Sequence, residues 1–252
     1  MSQFIGIIPA RYGSTRFPGK PLIDIKGKTM IQRVYEQASK ASLNAVYVAT
    51  DHQTIYEHVT SFGGNCLLTN ENHLSGTDRC NECLNQLNLS HDSVLVNIQG
   101  DEPFIQPSQI NLLCKLFEDS HTQIATLIKR INSYEELEKK TVPKVVINKN
   151  MEAIYFSRNI IPFPAKKTMA NLLADGNYFK HIGIYAYRAK TLQKIASLPP
   201  SVLEQIESLE QLRWIENDFK IKTAISTEET IAIDTPDDLE FALNYMNSLG
   251  LS

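Results

Sequence analysis

The sequence has few of the features that mark membrane, secreted or nucleic-acid-binding proteins. It contains only four cysteines in 252 residues, too few for the disulfide framework of a secreted domain. No apolar run approaches the ~18 residues that a transmembrane helix needs, and the first residues lack the basic segment of a signal peptide. The formal net charge of −3 provides no overall positive field for a polyanion. These absences favour a cytoplasmic protein that binds neither membrane nor nucleic acid.

Cys80 and Cys83 form a CxxC pair, a spacing that also occurs in zinc and redox sites. A zinc site needs two further ligands, and the other cysteines, Cys66 and Cys114, stand alone at no ligand spacing. The surrounding sequence is helical in pattern, and residues three apart share a helix face. We therefore expect both thiols to pack in the core as small apolar groups.

The chain does contain an alternation of apolar strands and amphipathic helices. Strands are predicted at 4–10, 45–50, 66–68, 93–98 and 124–129. Helices are predicted between them, near 30–38, 55–62, 77–87 and 107–117. This order predicts an α/β fold whose central sheet is mostly parallel, with helices on both faces.

The second half of the chain has a different pattern. Apolar segments at 145–148, 153–157 and 182–187 predict strands of a smaller mixed sheet. One long helix is predicted over 203–219, and another begins after Thr235, with Pro236 in its first position and Asp238 near-completing a capping box.

The loop after the first strand combines three cations with small residues. Arg11, Arg16 and Lys20 lie among Gly13 and Ser14, at the carboxyl end of a predicted parallel strand. Small residues let backbone N–H groups approach an anion, and cations neutralise it. The pattern is not the phosphate-binding motif GxxxxGK[ST], because Pro21 follows Lys20. It is not the dinucleotide-binding motif GxGxxG either. The loop therefore predicts a polyphosphate site, although a solvated basic loop is the alternative.

Two aspartates are predicted where apolar segments end. Asp101 follows the strand at 93–98, and Asp234 follows the apolar run 230–233, which we also expect to be a strand. Carboxylates from separate strand ends suit a Mg²⁺ that bridges phosphate oxygens. Each residue has a structural alternative, because Asp101 can cap a turn and Asp234 can precede the last helix as an N-terminal acid.

Taken in order, the motifs resemble those of the CMP-KDO synthetases, the 3-deoxy-manno-octulosonate cytidylyltransferases. The resemblance covers about residues 4–240 and is carried by IIPARYGSTRFPGKPL, VATDH, HLSGTDR, VNIQGDEP, YFSR, HIGIYAYR, ESLEQLR and IDTPDDL. It implies a nucleotidyltransferase fold, CTP and KDO as substrates, Mg²⁺, a cytoplasmic homodimer and a role in lipopolysaccharide synthesis. It also implies one domain over 1–252, with a nucleotide half to about 130, a sugar-binding and dimerisation part over about 131–220, and a final strand and helix over 221–252 that return to the core.

The resemblance also implies roles for individual residues. The catalytic groups are Lys20, Arg11, Gln99 and Asp101. Nucleotide contacts are expected from Arg11, Ser14, Arg16, Lys20, Ser75, Gly76, Thr77 and Arg79. Sugar contacts are expected from Gln99, Arg158, His181, Tyr185, Glu210 and Gln211. The metal ligands are Asp101 and Asp234, and either Arg158 or a protonated His181 is expected to pair with the sugar carboxylate.

Two other functions remain open from the sequence. The chain can be a relative that activates another acid sugar, such as a sialic acid or an 8-amino variant of KDO. It can also be a non-catalytic nucleotide sensor, although binding alone does not require both Asp101 and Asp234.

Overall fold

The computed structural model describes residues 3–13, 17–165, 171, 173 and 177–248. It contains two compact units. The first unit comprises Met1–Asn111 and Glu229–Ser252, and the second unit comprises Leu112–Glu228. The chain therefore leaves the first unit once and returns to it near its C terminus. The division into parts at about 130 and 220 within a single domain stays a prediction.

The strands and helices alternate along most of the chain. The strands are β1 (Phe4–Ala10), β2 (Asp24–Ile25), β3 (Lys28–Thr29), β4 (Ala45–Thr50), β5 (Cys66–Leu68), β6 (Val94–Asn97), β7 (Ile124–Arg130), β8 (Lys144–Ile147), β9 (Ala153–Ser157), β10 (Phe179–Arg188) and β11 (Ile221–Ile225). The helices are α1 (Met30–Ala38), α2 (Gln53–Ser61), α3 (Gly76–Gln86), α4 (Pro107–Lys115), α5 (Tyr134–Glu138), α6 (Ala189–Ala196), α7 (Val202–Glu207), α8 (Gln211–Glu216) and α9 (Pro236–Ser248). Two single 3₁₀ turns cover Lys20–Leu22 and Leu116–Glu118.

The first unit is built on four parallel strands in the order β6-β1-β4-β5. Parallel neighbours cannot be joined by tight turns, so α1, α2 and α3 serve as the crossovers between successive strands. The carboxyl ends of these strands therefore meet at one edge of the sheet, where ligands of such folds bind.

The helices of the first unit form where the sequence places apolar side chains on one face. In α1, Met30, Ile31, Val34 and Ala38 are all fully buried, as their spacing predicts. Helix α2 ends at Ser61, and Gly63 follows with φ of 82°. Glycine adopts this left-handed conformation readily and commonly follows the end of a helix.

The second unit contains a mixed sheet. Strand β10 pairs antiparallel with β7 and β8, β8 pairs antiparallel with β9, and β11 pairs parallel with β7. Together with the parallel strands of the first unit, this confirms the predicted α/β fold with a mostly parallel sheet and a smaller mixed region.

The prediction of one helix over 203–219 is wrong. The segment forms two short helices, α7 and α8, because Ser208 adopts a left-handed conformation with φ of 52° and ends α7. The apolar stripe is interrupted accordingly, since Ile206 is exposed whereas Leu209 and Leu212 are buried. Apolar spacing alone does not detect a single residue of left-handed backbone.

The prediction of a strand before Asp234 is also wrong. Residues 230–234 have no regular secondary structure, although Ile233 is fully buried. Its burial explains the apolar composition that suggested a strand. The helix that follows is confirmed, with Pro236 as its first residue and the Thr235 hydroxyl accepting a bond from the Asp238 N–H at 3.3 Å.

The cysteine pair packs as predicted. Cys80 and Cys83 lie in α3 and are fully buried, and burial raises the pKa of the Cys83 thiol to about 12. The Cys83 thiol therefore stays protonated, and both cysteines serve as core side chains. Among the described residues, no helix is both long enough and apolar enough to cross a bilayer.

Candidate active site

One lysine and two aspartates from distant parts of the chain meet in the first unit. The Lys20 ammonium donates to Asp101 Oδ2 at 2.8 Å and to Asp234 Oδ1 at 2.9 Å. The Ile233 N–H also donates to the Asp101 carbonyl at 2.9 Å, so the two acid-bearing segments are joined by their backbones. The predicted convergence of Lys20, Asp101 and Asp234 is thus present in the structure.

The Lys20 side chain is held in this position by its surroundings. Its residue begins the 3₁₀ turn Lys20–Leu22, and its side chain is only 14% exposed. Burial alone would lower the pKa of Lys20, but the Asp101 and Asp234 carboxylates outweigh it and raise the pKa above 10.5. Lys20 therefore remains an ammonium at every physiological pH.

Asp234 is placed by the start of helix α9. The Asp238 carboxylate accepts bonds from the Asp234 N–H at 3.0 Å and the Thr235 N–H at 2.8 Å. Behind this cap, Ile233 packs in a buried cluster with Met30 and Phe104. A capped helix and an apolar anchor thus fix Asp234 without a strand.

Gly100 allows the ends of β1 and β6 to approach closely. A Cβ at this position would lie 2.6 Å from the Pro9 carbonyl oxygen, which is backbone and cannot rotate away. A glycine is therefore required between Gln99 and Asp101.

A cavity of about 330 Å³ opens beside these groups. The residues that line it include eight of the site residues predicted from the sequence: Arg11, Lys20, Ser75, Gly76, Arg79, Gln99, Asp101 and Asp234. Its other lining residues are Pro9, Ala10, Pro21, His73, Leu74 and Gly100. Thr77 does not line it and is buried in α3, whereas Ser14 and Arg16 lie outside the described residues.

Arg79 and Ser75 have structural partners in addition to their place in the cavity. The Arg79 guanidinium donates to Asp51 Oδ2 at 2.9 Å and to the Thr69 hydroxyl. Ser75 caps α3 through a reciprocal pair of bonds with Asp78. The sequence does not indicate this ion pair, because its two residues lie 28 positions apart in the chain.

Glu102 follows Asp101 and is almost completely buried. Burial first, and the neighbouring Asp101 carboxylate second, raise the pKa of Glu102 to about 8. Glu102 is therefore neutral at pH 7, and it adds no third negative charge beside the aspartate pair.

His181 and Tyr185 lie in the second unit, on β10. The His181 ring packs between Phe156 and Tyr185, with centroids at 5.2 and 5.1 Å, and its Nε2 is 3.1 Å from the Thr126 hydroxyl. Burial lowers the pKa of His181 to about 3, so the imidazole is neutral near pH 7. Burial thus disfavours a charged imidazolium at this position, and contact between His181 and the sugar stays a prediction.

Arg158 is held by backbone carbonyls of the second unit. Its guanidinium donates to Glu207 O at 2.8 Å, to Ser208 O at 3.1 Å and to Lys140 O at 3.2 Å. The side chain thus joins the end of α7 to the segment after α5. Contact between Arg158 and a sugar carboxylate stays a prediction.

Glu210 and Gln211 lie where α8 begins, and the Glu210 carboxylate is near enough to act on the Tyr185 hydroxyl. Burial first and the Glu210 carboxylate second raise the pKa of the Tyr185 hydroxyl above 10.0. Gln211 is buried, and within the part of the chain that the structure describes its Nε2 has no hydrogen-bond partner. An unsatisfied buried amide of this kind is suited to a polar ligand or a water molecule.

Comparison with known proteins identifies the family. The family model described as cytidylyltransferase matches residues 5–223. The 3-deoxy-manno-octulosonate cytidylyltransferase of Parabacteroides distasonis is 54% identical over 250 residues, which cover 98% of this chain and 99% of that protein. The solved structure of a CMP:2-keto-3-deoxy-manno-octonic acid synthetase complexed with CTP is 41% identical, with a TM-score of 0.90 over 98% of this chain and 100% of that one.

This chain belongs to the 3-deoxy-manno-octulosonate cytidylyltransferases. The fold is shared more widely than the family. A putative glucose-1-phosphate thymidylyltransferase from Bacillus anthracis has a TM-score of 0.67 at 17% identity, over 96% of this chain and 94% of that one. At that identity the likeness concerns the fold alone.

Two features of the cytidylyltransferase cavity escape prediction from the sequence. His73 and Leu74 line it from the loop before α3, and Leu74 is 90% exposed. His73 Nε2 lies 2.5 Å from Glu82 Oε2, a contact between a loop and a helix face. Both residues belong to the HLSGTDR motif, but a histidine beside a leucine has no spacing that indicates a role, so only the fold shows that they line the cavity.

Proposed function

We propose that this chain transfers CMP from CTP to 3-deoxy-manno-octulosonate, with release of diphosphate. The observation that carries the proposal is the meeting of Lys20, Asp101 and Asp234 in a cavity that Arg11 also lines. Membership of the cytidylyltransferase family supports the nucleotide, and the names of the relatives support the sugar.

The reaction follows from the charges in the cavity. A sugar hydroxyl forms a new bond to the α-phosphorus of CTP, the bond to the β-phosphate oxygen breaks, and the hydroxyl proton is released. Arg11 and Lys20 neutralise the diphosphate as it leaves, with Arg16 predicted to assist. Such transfers depend mainly on positioning and charge neutralisation, so no covalent intermediate is required.

Asp101 and Asp234 fit a magnesium site. Their oxygens already converge on one cation, the Lys20 ammonium, and carboxylate oxygens are the ligands that Mg²⁺ prefers. When bound, Mg²⁺ supplies positive charge to phosphate oxygens. The role of the two carboxylates is to hold that charge beside the nucleotide.

Most of the proposed sugar contacts come from β10 and from the start of α8. Tyr185, Glu210 and Gln211 offer hydrogen-bonding groups, and a neutral His181 can donate or accept a bond but cannot pair with a carboxylate by charge. Arg158 and Gln99 complete the proposed sugar contacts.

The cellular proposals rest on the family resemblance alone. They are a homodimer, a cytoplasmic location and a role in lipopolysaccharide synthesis. A mass of one 28.5 kDa chain in sedimentation velocity would contradict the homodimer.

Diphosphate release is the measurement that tests the proposed function. The assay pairs CTP, UTP or ATP with 3-deoxy-manno-octulosonate, its 8-amino analogue or a sialic acid, each with and without Mg²⁺. We expect the fastest release with CTP, 3-deoxy-manno-octulosonate and Mg²⁺. A preference for sialic acid would favour the related enzyme, and CTP binding without diphosphate release would favour the nucleotide sensor.

Asp101→Asn and Asp234→Asn test the acids within the same assay. Each change is expected to lower kcat by about 100- to 1000-fold, the usual loss for a group that acts on charge in the transition state. Asp92→Asn is the matched control, because Asp92 is exposed on a turn outside the cavity. Full activity in either site variant would contradict the metal assignment.

A further inference from the structure

The Lys20 ammonium lies where the two proposed metal ligands meet. We infer, on the basis of the proposed function, that Lys20 is a built-in cation that occupies the carboxylate pair until nucleotide draws it away and admits Mg²⁺. Both of its bonds, at 2.8 and 2.9 Å, are short charge-assisted contacts to the oxygens a metal would need.

The charges of the site favour such a cation. Lys20 gives the Asp101 and Asp234 carboxylates a shared positive charge, in a partly buried site where repulsion between two carboxylates is costly. The neighbouring Asp238 carboxylate is already occupied by the Thr235 and Asp234 N–H groups. Among the described residues, Lys20 thus donates to both carboxylates and offsets part of their negative charge.

Too few ligands are present to hold a metal strongly without nucleotide. Across the described residues, no group of three or more His, Cys, Asp or Glu side chains is placed to hold a metal ion. The aspartate pair alone therefore has to compete with Lys20 for a cation. Triphosphate oxygens change the balance, because they supply further metal ligands and also accept bonds from the released ammonium.

This arrangement links metal and nucleotide binding. Each ligand that removes Lys20 from the carboxylates makes the other bind more tightly, as reciprocal coupling requires. Mg²⁺ would thus enter with CTP, and the cavity would keep its charge balance in both states.

Metal binding to the nucleotide-free protein tests the inference, with Mn²⁺ as the probe in electron paramagnetic resonance. Lys20→Met is expected to bind Mn²⁺ about 5- to 150-fold more tightly than the unmodified protein, the range typical of coupled sites. Lys20→Arg keeps the positive charge and should bind Mn²⁺ weakly. Lys28→Met is the control, since Lys28 pairs with Glu36 outside the cavity.

Equal Mn²⁺ affinity in the Lys20→Met and unmodified proteins would overturn the inference. If Lys20→Met does not fold, as judged by circular dichroism, Lys20→Gln provides the same loss of charge. The proposed function is tested separately by turnover of Asp101→Asn. If Lys20→Met leaves Mn²⁺ affinity unchanged while Asp101→Asn loses turnover, the inference fails and the proposed function stands. If Asp101→Asn keeps full turnover, the metal assignment fails instead.

Discussion

At the residue scale, burial decides what each titratable group can do. Lys20, Glu102 and His181 are all shielded from water, yet only Lys20 keeps its charge at neutral pH, because two carboxylates face it. Glu102 faces another acid, and His181 faces aromatic rings. Burial thus leaves one group charged and makes the others neutral, and the neighbouring charges decide which occurs.

His181 leads to a prediction about stability and pH. Its pKa is about 3 in the folded chain and near 6.5 when unfolded, so only the unfolded chain takes up its proton between those values. The contribution of the neutral ring is present above pH 6.5 and is lost as the pH falls towards 3. In denaturant unfolding, His181→Gln should therefore reduce the decline of the unfolding free energy over this window.

A matched control for His181→Gln is His91→Gln, because His91 is exposed on a turn away from His181. That variant should follow the unmodified protein at every pH. An identical pH dependence in His181→Gln and the unmodified protein would show that His181 is not held neutral by burial.

At the scale of elements, the break between α7 and α8 illustrates what apolar spacing leaves out. Ile206, Leu209 and Leu212 repeat at helical spacing across the break, so the pattern predicts a continuous helix. Ser208 interrupts it and presents its carbonyl to Arg158, which lies 50 residues earlier in the chain. Tertiary contacts of this kind cannot be read from local sequence.

Ser208→Gly tests the break. A serine in left-handed backbone is strained, so glycine at this position should raise the unfolding free energy by about 0.5–1 kcal/mol. The carbonyl that Arg158 contacts is kept. Urea denaturation measures the change, and Ser208→Ala, which retains the strain, serves as control. A loss of about 1 kcal/mol on Ser208→Gly would instead indicate a continuous helix, where glycine is unfavourable.

The elements that were predicted well have strong local signals. Strands β1, β4, β5 and β9 begin and end at the predicted residues, because apolar runs are bounded by turns or acids. Helix α9 has its capping residues written in the sequence at Thr235 and Asp238. The position of Asp234 was predicted for a wrong reason, since a buried loop and a strand share the same composition.

At the scale of the whole molecule, ligand binding should appear as added stability. A ligand that binds only the folded chain raises the unfolding free energy by about 2.7 kcal/mol at 100 times its dissociation constant. For a chain of this size that corresponds to roughly 5–10 °C in Tm. CTP with Mg²⁺ should produce a shift of this order in thermal unfolding, and Mg²⁺ alone a much smaller one because Lys20 holds its ligands.

UTP with Mg²⁺ is the control for base selectivity in that experiment, and it should give a smaller shift than CTP. An equal shift with Mg²⁺ alone would mean that the nucleotide adds nothing to folded-state binding.

The sequence predicts which cations and acids meet, from motifs spread over most of the chain. Their distances, the neutral state of His181 and the carbonyl contacts of Arg158 depend on packing that no motif encodes.

The close approach at Gly100 has a consequence for how wide the site can be. A backbone oxygen of Pro9 faces the missing side chain, so neither segment can give way locally. Arg11 follows the one segment and Asp101 the other, and their spacing is thus set by main chain rather than by adjustable side chains. A methyl group at position 100 would push the two segments apart and widen the cavity. A compact anion would then bind more weakly, even though every charged residue was still in place.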